Sequence, residues 1–281
     1  MRRQVFTLLT LAMLAAPLLP AMPAGAARRG AAPAMADAAG NHMVALAAAA
    51  RGRRADPNAR SCTPDGHWCV RLLRAGNAGA GRIELIGGTG QPRRFEIAAL
   101  PERMIVLSNV TVALWPHIVI ERDGAVIIGV EQRTNGANQQ GEWATGELLL
   151  LRAGAGAAPL RQVLDVPLLR YNGIYNCLHR GDARLRFGAC IDKALLTGTL
   201  SFDPRTRTGM PHFRFEQRAR TYPAYGVLER DFDRQQPLRR ADIRWATDPE
   251  CSYRQHLAYD PRQGLYVGDN YPQPCQDYFG F

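Results

Sequence analysis

The chain has 281 residues, 46% hydrophobic and 21% charged, with a formal net charge of +10. Sparse charge of both signs excludes a globally disordered chain. Outside residues 5–19 no apolar run approaches the ~20 residues of a membrane helix, which excludes a polytopic membrane protein.

The excess base suggests nucleic acid until its position is considered. Residues 1–60 carry eight Arg and two Asp, whereas residues 61–281 carry 27 basic and 23 acidic residues. All but one of the basic residues are Arg, the exception being Lys193. The body is therefore only mildly basic, and no nucleic-acid partner is expected.

Arg2 and Arg3 precede a Leu/Ala-rich stretch from Val5 to Leu19. Pro20 then breaks the helix, and Ala24-Gly25-Ala26 offers small residues for cleavage. The pattern predicts a signal peptide over residues 1–26. Residues 27–60 are mostly Ala, Gly, Pro and Arg and read as a disordered linker. Met43–Ala50 has the composition of a short helix but no amphipathic pattern to hold it.

Six cysteines follow: Cys62, Cys69, Cys177, Cys190, Cys251 and Cys275. An even count in an exported chain reads as a disulfide framework. Chain order suggests Cys62–Cys69, Cys177–Cys190 and Cys251–Cys275, although about 15 pairings are possible. Each such bridge would contribute roughly 2.5–3.5 kcal/mol on the chain-entropy account. No C-x-x-C pair exists, so no metal is expected.

Short Val/Ile/Leu/Phe runs then alternate with Gly, Pro, Asn and Asp. The predicted strands begin with 68–73, 82–86, 95–100 and 104–107. Next comes a hairpin, 118–121 and 125–131, around Asp123-Gly124, whose two residues suit a primed turn. Strands at 147–151, 162–166, 194–202, 213–218, 240–246, 253–259 and 265–267 complete the series. The fold class is all-β, a single antiparallel β-meander domain over residues 61–281, either a β-sandwich or propeller-like. Two internal echoes fit such hairpins. Arg82–Ile97 shares its outline with Glu147–Val166, and Leu200-x-Phe202-Asp203-Pro204-Arg205 returns as Leu257-x-Tyr259-Asp260-Pro261-Arg262.

Catalytic signatures are sparse. None of the four Ser lies in a G-x-S-x-G or S-x-x-K context, and there is no phosphate loop or dinucleotide fingerprint. No cofactor is expected. His117 and His212 each follow a Pro, a spacing compatible with turn histidines or with a convergent acid/base pair. Glu121, Glu142 and Glu147 are the carboxylates that a glycan hydrolase would need to bring together.

The most suggestive segment runs from Asn135 to Trp143. Asn135, Asn138, Gln139, Gln140, Glu142 and Trp143 combine amide donors and acceptors with an aromatic ring, a pattern suited to sugar or peptide recognition. The leading expectation is a periplasmic or secreted, non-enzymatic binding module of the cell envelope. Its partner would be a glycan, a peptide or a protein, with no transmembrane segment in the mature chain. The alternatives are a carboxylate-based glycan hydrolase and a structural accessory of an envelope complex.

Overall fold

The computed structural model describes residues 34–48, 60–74, 81–87, 91–97, 108–156, 158–177, 179, 181–224, 238–269, 275 and 278. The signal peptide expected at 1–26 lies outside them, as does the strand expected at 104–107. No helix among the described residues is long and apolar enough to cross a membrane.

The structure is nearly all β, in two antiparallel sheets. Strands β1 (Met35–Ala36), β2 (His42–Ala45), β8 (Ser108–Ile120), β9 (Val126–Ala137), β10 (Gly141–Ala153), β11 (Leu160–Tyr175), β12 (Ile191–Phe202), β13 (Phe213–Tyr222), β14 (Ala246–Asp260) and β15 (Leu265–Gly268) form one ten-stranded sheet in that order. Strands β3 (Ala47–Ala48), β4 (Arg60–Cys62), β5 (Trp68–Arg74), β6 (Gly81–Gly87) and β7 (Arg93–Ile97) form a five-stranded sheet, again in order. A four-residue helix, α1 (Asp182–Leu185), sits between β11 and β12. The meander is continuous from β8 to β15 and from β3 to β7, is interrupted between β2 and β8, and is sandwich-like, not divided into radial blades.

Strand β9 shows why the sheets stack. Its opening Val126-Ile127-Ile128-Gly129-Val130 is buried without a break. Ile127 joins Trp115, Val119, Leu148, Leu150, Val166, Phe213 and Phe215 in one core. Val126, Ile128 and Val130 join Trp68, Val70, Ile83, Leu85 and Leu151 in a second. Successive side chains on a strand point to opposite faces, so a strand covered on both sides must be apolar throughout. The later parts of β8 and β10 and the first parts of β9 and β11, which pair with one another, therefore form a middle layer. The five-stranded sheet covers one face, and β12 to β15 fold back over the other.

Two irregularities make that fold-back possible. The β8–β9 register shifts between Leu114 and Ile118, where Pro116 cannot donate to the ladder. The β10–β11 register shifts between Gly146 and Glu147, where Gly146 faces Leu169 and Glu147 faces Pro167. β12 pairs only with the part of β11 beyond this bulge, from Leu169 to Tyr175. Past it, β12 leaves the layer. Gly198 marks the crossing: a Cβ there would lie 2.0 Å from the Pro167 carbonyl oxygen.

All three bridges form as chain order suggested: Cys62–Cys69, Cys177–Cys190 and Cys251–Cys275. The Asp-Pro echo is real as well. Asp203 and Asp260 each accept from the backbone N–H two residues on, at 3.0 and 2.8 Å, and each begins a hairpin turn.

Three expectations need correction. First, the linker expected over 27–60 is structured at residues 34–48. β2 pairs with β8, and β3 pairs with β4. The Asp37 carboxylate accepts from the Asn41 backbone and side-chain amides, both at 2.8 Å, closing the β1–β2 turn. Met43 is buried in the first core. Ala-rich composition hid this alternation, and extended pairing replaces the short helix. The rest of 27–60, apart from β4's first residue, is outside the described residues. Second, residues 240–245 are not a strand, since Arg240–Asp242 form a 3-10 turn and β14 begins only at Ala246. Third, the Asp123-Gly124 hairpin is not primed. Of the pair, only Gly124 has positive φ, at 84°, and its N–H donates to the Glu121 carbonyl at 2.9 Å. A type I turn followed by a left-handed Gly needs one positive φ, and the Asp123 carboxylate caps it from the Ala125 N–H.

Candidate functional site

Register places part of the suggested segment on an exposed sheet face. Asn109 faces Asn135, Asn135 faces Ala144, and Ala144 faces Tyr171. Glu142 lies one pleat further along β10, opposite Gly173. A groove lined by Asn109, Asn135, Ala137, Glu142, Ala144 and Tyr171 results. Its floor is low because the central positions are Ala and Gly.

The Tyr171 hydroxyl donates to the Glu142 carboxylate. Gly173 makes this possible, because a Cβ there would meet the Tyr171 hydroxyl at 2.8 Å and Glu142 Cγ at 3.0 Å. Burial, reinforced by the bond to Glu142, holds the Tyr171 hydroxyl well above its ordinary pKa. The pair sets the Glu142 carboxyl group beside an aromatic ring held in place by the hydrogen bond.

The other suggested residues divide. Asn138 is spent on the turn, where its side-chain oxygen accepts from the Gln140 N–H at 2.8 Å and the Gly141 N–H at 3.0 Å. Gln139 is exposed at the tip, and the Gln140 carbonyl accepts from Tyr175. Trp143 also borders the groove, but strand alternation directs its side chain to the face opposite Glu142. The ring beside Glu142 is that of Tyr171, a strand away and invisible to local reading.

The same rows continue across the sheet. Tyr171 faces Leu195, Leu195 faces Arg220, and Arg220 faces Thr247. In the neighbouring row Gly173 faces Lys193 and Lys193 faces Tyr222. The Tyr222 and Trp245 rings lie 5.6 Å apart, and the Arg220 guanidinium sits 5.3 Å from the Trp245 centroid. From Asn109 to Thr247 the face crosses seven strands, a span of about 29 Å.

The carboxylates named for hydrolysis do not converge. Glu121 is buried and makes a two-pronged pair with Arg152 at 2.7 and 2.9 Å. Glu142 bonds Tyr171, whereas Glu147, five residues on and hence on the opposite face, pairs with Arg170. The two Pro-His histidines find different partners. His117 packs on Trp115 with ring centroids 5.0 Å apart, and His212 lies 4.8 Å from His256. Asp203, held by Arg214, sits 3.4 Å from His256 Nε2. Among the described residues no group of three or more His, Cys, Asp or Glu could hold a metal ion.

One carboxyl is out of balance with its surroundings. Asp165 faces Leu149 and lies diagonally from Glu147 across the strand pair. Its residue reaches solvent, yet poor hydration, with the Glu147 charge beside it, pushes its carboxyl up to about 6 from 3.8. At pH 8 folded and unfolded chains both carry the charge, and the folded one bears its cost. As pH falls through 6 the folded chain binds the proton first, and by 3.8 the cost is gone. Asp165→Asn should therefore stabilise the protein at pH 8 by about 1 kcal/mol, once solvent screening is allowed for. Thermal melts should show a gain at pH 8 that has vanished by about pH 4. A lower Tm for the variant at pH 8 would contradict this account.

No protein-family model, curated protein or solved structure matches the chain.

Proposed function

We propose that this chain is an exported glycan-binding module of the cell envelope, with its ligand lying across the open face of the ten-stranded sheet. One observation carries the reading: Asn109, Asn135, Glu142 and Tyr171, from four successive strands, line one shallow groove. Amide and carboxylate groups beside a fixed ring match the alternating hydroxyls and apolar face of a sugar. The three disulfides fit an oxidising compartment and so favour export.

The test is retention on a printed glycan panel by the full chain, purified with its disulfides intact. Tyr171→Phe removes only the hydroxyl that holds Glu142, and Asn135→Ala removes an exposed amide. Each should weaken retention on the best glycan about five- to tenfold while leaving the thermal melt in place. Undiminished retention by the double variant would overturn the placement. Absence of retention on every glycan would overturn the ligand class.

A further inference from the structure

We infer that the far half of this face, around Arg218, Arg220 and Trp245, selects an acidic glycan, one whose sugars carry carboxylates. This rests on the glycan reading above and adds the ligand's charge.

The site is made by an interruption in pairing. β13 and β14 run in register from Phe213–Leu257 to Gln217–Tyr253, then resume at Ala219–Asp248. Residues 249–252 of β14 therefore stand against Arg218 alone. Pro249 cannot donate to a ladder. The Ser252 hydroxyl instead bonds Ala219, accepting from its N–H at 2.9 Å and donating to its carbonyl at 3.3 Å. The bulge opens a groove lined by Thr197, Glu216, Arg218, Arg220, Thr247 and Arg254 among others.

The charges in this groove do not cancel. Glu216 accepts from Arg218 at 2.7 Å and lies 3.1 Å from Arg254. One carboxylate thus serves two guanidiniums. Arg220 has no carboxylate within ion-pair distance among the described residues, and neither has Lys193, which lies diagonally across β12 and β13. Arg220 is held instead over Trp245. That contact restrains the guanidinium beside the ring, and a planar fork so placed can receive a carboxylate through two parallel bonds. The adjoining rings of Tyr222 and Trp245 supply an aromatic surface for the sugar itself. Arg218 and Arg220, two positions apart on β13 and so on one face, would meet neighbouring charges on an extended polymer.

Sodium polygalacturonate and its fully methyl-esterified form are the probes, since they share a backbone and differ in charge. Binding of the full chain should be about ten- to a hundredfold tighter to the acid than to the ester at 50 mM salt. The advantage should shrink as salt rises. Arg220→Ala with Arg218→Ala should bring acid binding down to the ester level. Arg220→Lys should not restore it, because an ammonium lacks the planar fork. Arg262→Ala, on the exposed β14–β15 turn, should change nothing.

Equal binding of acid and ester overturns the inference, and so does loss of binding in Arg262→Ala comparable to that in Arg220→Ala. Equal binding that is still lost in Tyr171→Phe leaves the glycan reading standing. Binding of neither polymer removes the acidic-glycan inference, and the printed panel then decides the glycan reading separately.

Discussion

Gly198→Ala is expected to leave no folded protein at 37 °C. The added Cβ would lie 2.0 Å from the Pro167 carbonyl oxygen and 2.8 Å from the Phe215 ring. Neither neighbour can yield cheaply. Pro167 belongs to the bulge that turns β11 away from β12, and Phe215 is buried in the main core. Relief would require β12 to move off β11 at the place where the two layers separate. A clash of this kind costs more than about 4 kcal/mol, against a total stability of about 5–15 kcal/mol for an ordinary domain. Gly156→Ala is the matched comparison. Its φ is +78°, but nothing lies within 4 Å of the added carbon. It should cost only about 1–2 kcal/mol of local strain. Soluble yield and urea unfolding measure both, and a Gly198→Ala protein as stable as Gly156→Ala would disprove the crossing.

The second large effect is expected at Arg186. Arg186 and Asp192 form an ion pair with both residues buried, 5% and 6% exposed. The Arg186 Nε also donates to the Ala189 carbonyl at 3.0 Å, which ties down the segment closed by Cys177–Cys190. Burial raises the Asp192 carboxyl above its ordinary range, and Arg186 holds that rise in check. Arg186→Ala would leave the carboxylate buried alone, at a cost of about 3–5 kcal/mol near pH 7.5. The sign with pH follows from the raised folded value. The penalty belongs to the ionised form, so it is full at high pH and relieved as pH falls through the folded value toward 3.8. Denaturant unfolding from pH 8 to pH 4.5 should therefore show the variant closing on the wild type. Arg186→Ala with Asp192→Asn should recover part of the loss at pH 7.5. A deficit constant across that range would mean that packing, not the stranded charge, dominates.

Much of this architecture is legible in sequence wherever one strand carries its own signal. The runs at 68–73, 82–86, 194–202 and 213–218 alternate clearly and lie within β5, β6, β12 and β13. The Asp-Pro echo foretold two similar turns because it depends on local hydrogen bonds. What sequence hides is set by register. Alternation does not show that β9 is covered on both sides, nor that β11 bulges at Pro167. β1 to β3 are hidden because Ala forms any element, and Met43 and Val44, adjacent on β2, pack on opposite cores and so leave no one-sided alternation. The binding face divides in the same way. Asn135 and Glu142 stand out as a polar segment. Tyr171, Arg220 and Trp245 join them only through ladders that span four further strands. Arg218-x-Arg220-x-Tyr222 alternates as a polar strand face does, but that alternation does not reveal the neighbours its side chains meet.

The position of β2 also orders events in time. Its ladder with β8 joins Ala45 to His117, 72 positions later in the chain, and the entire five-stranded sheet is built in between. The hairpins from β8 onward close with adjacent partners and pay little loop entropy. β2 has only the two-residue β1 as an adjacent partner. At synthesis rates of about 5–20 residues per second, it leaves the ribosome roughly 4–14 s before its partner exists. The first strands of the chain are thus among the last to be seated, and their sparing use of large apolar side chains leaves little for other chains to grasp during the wait.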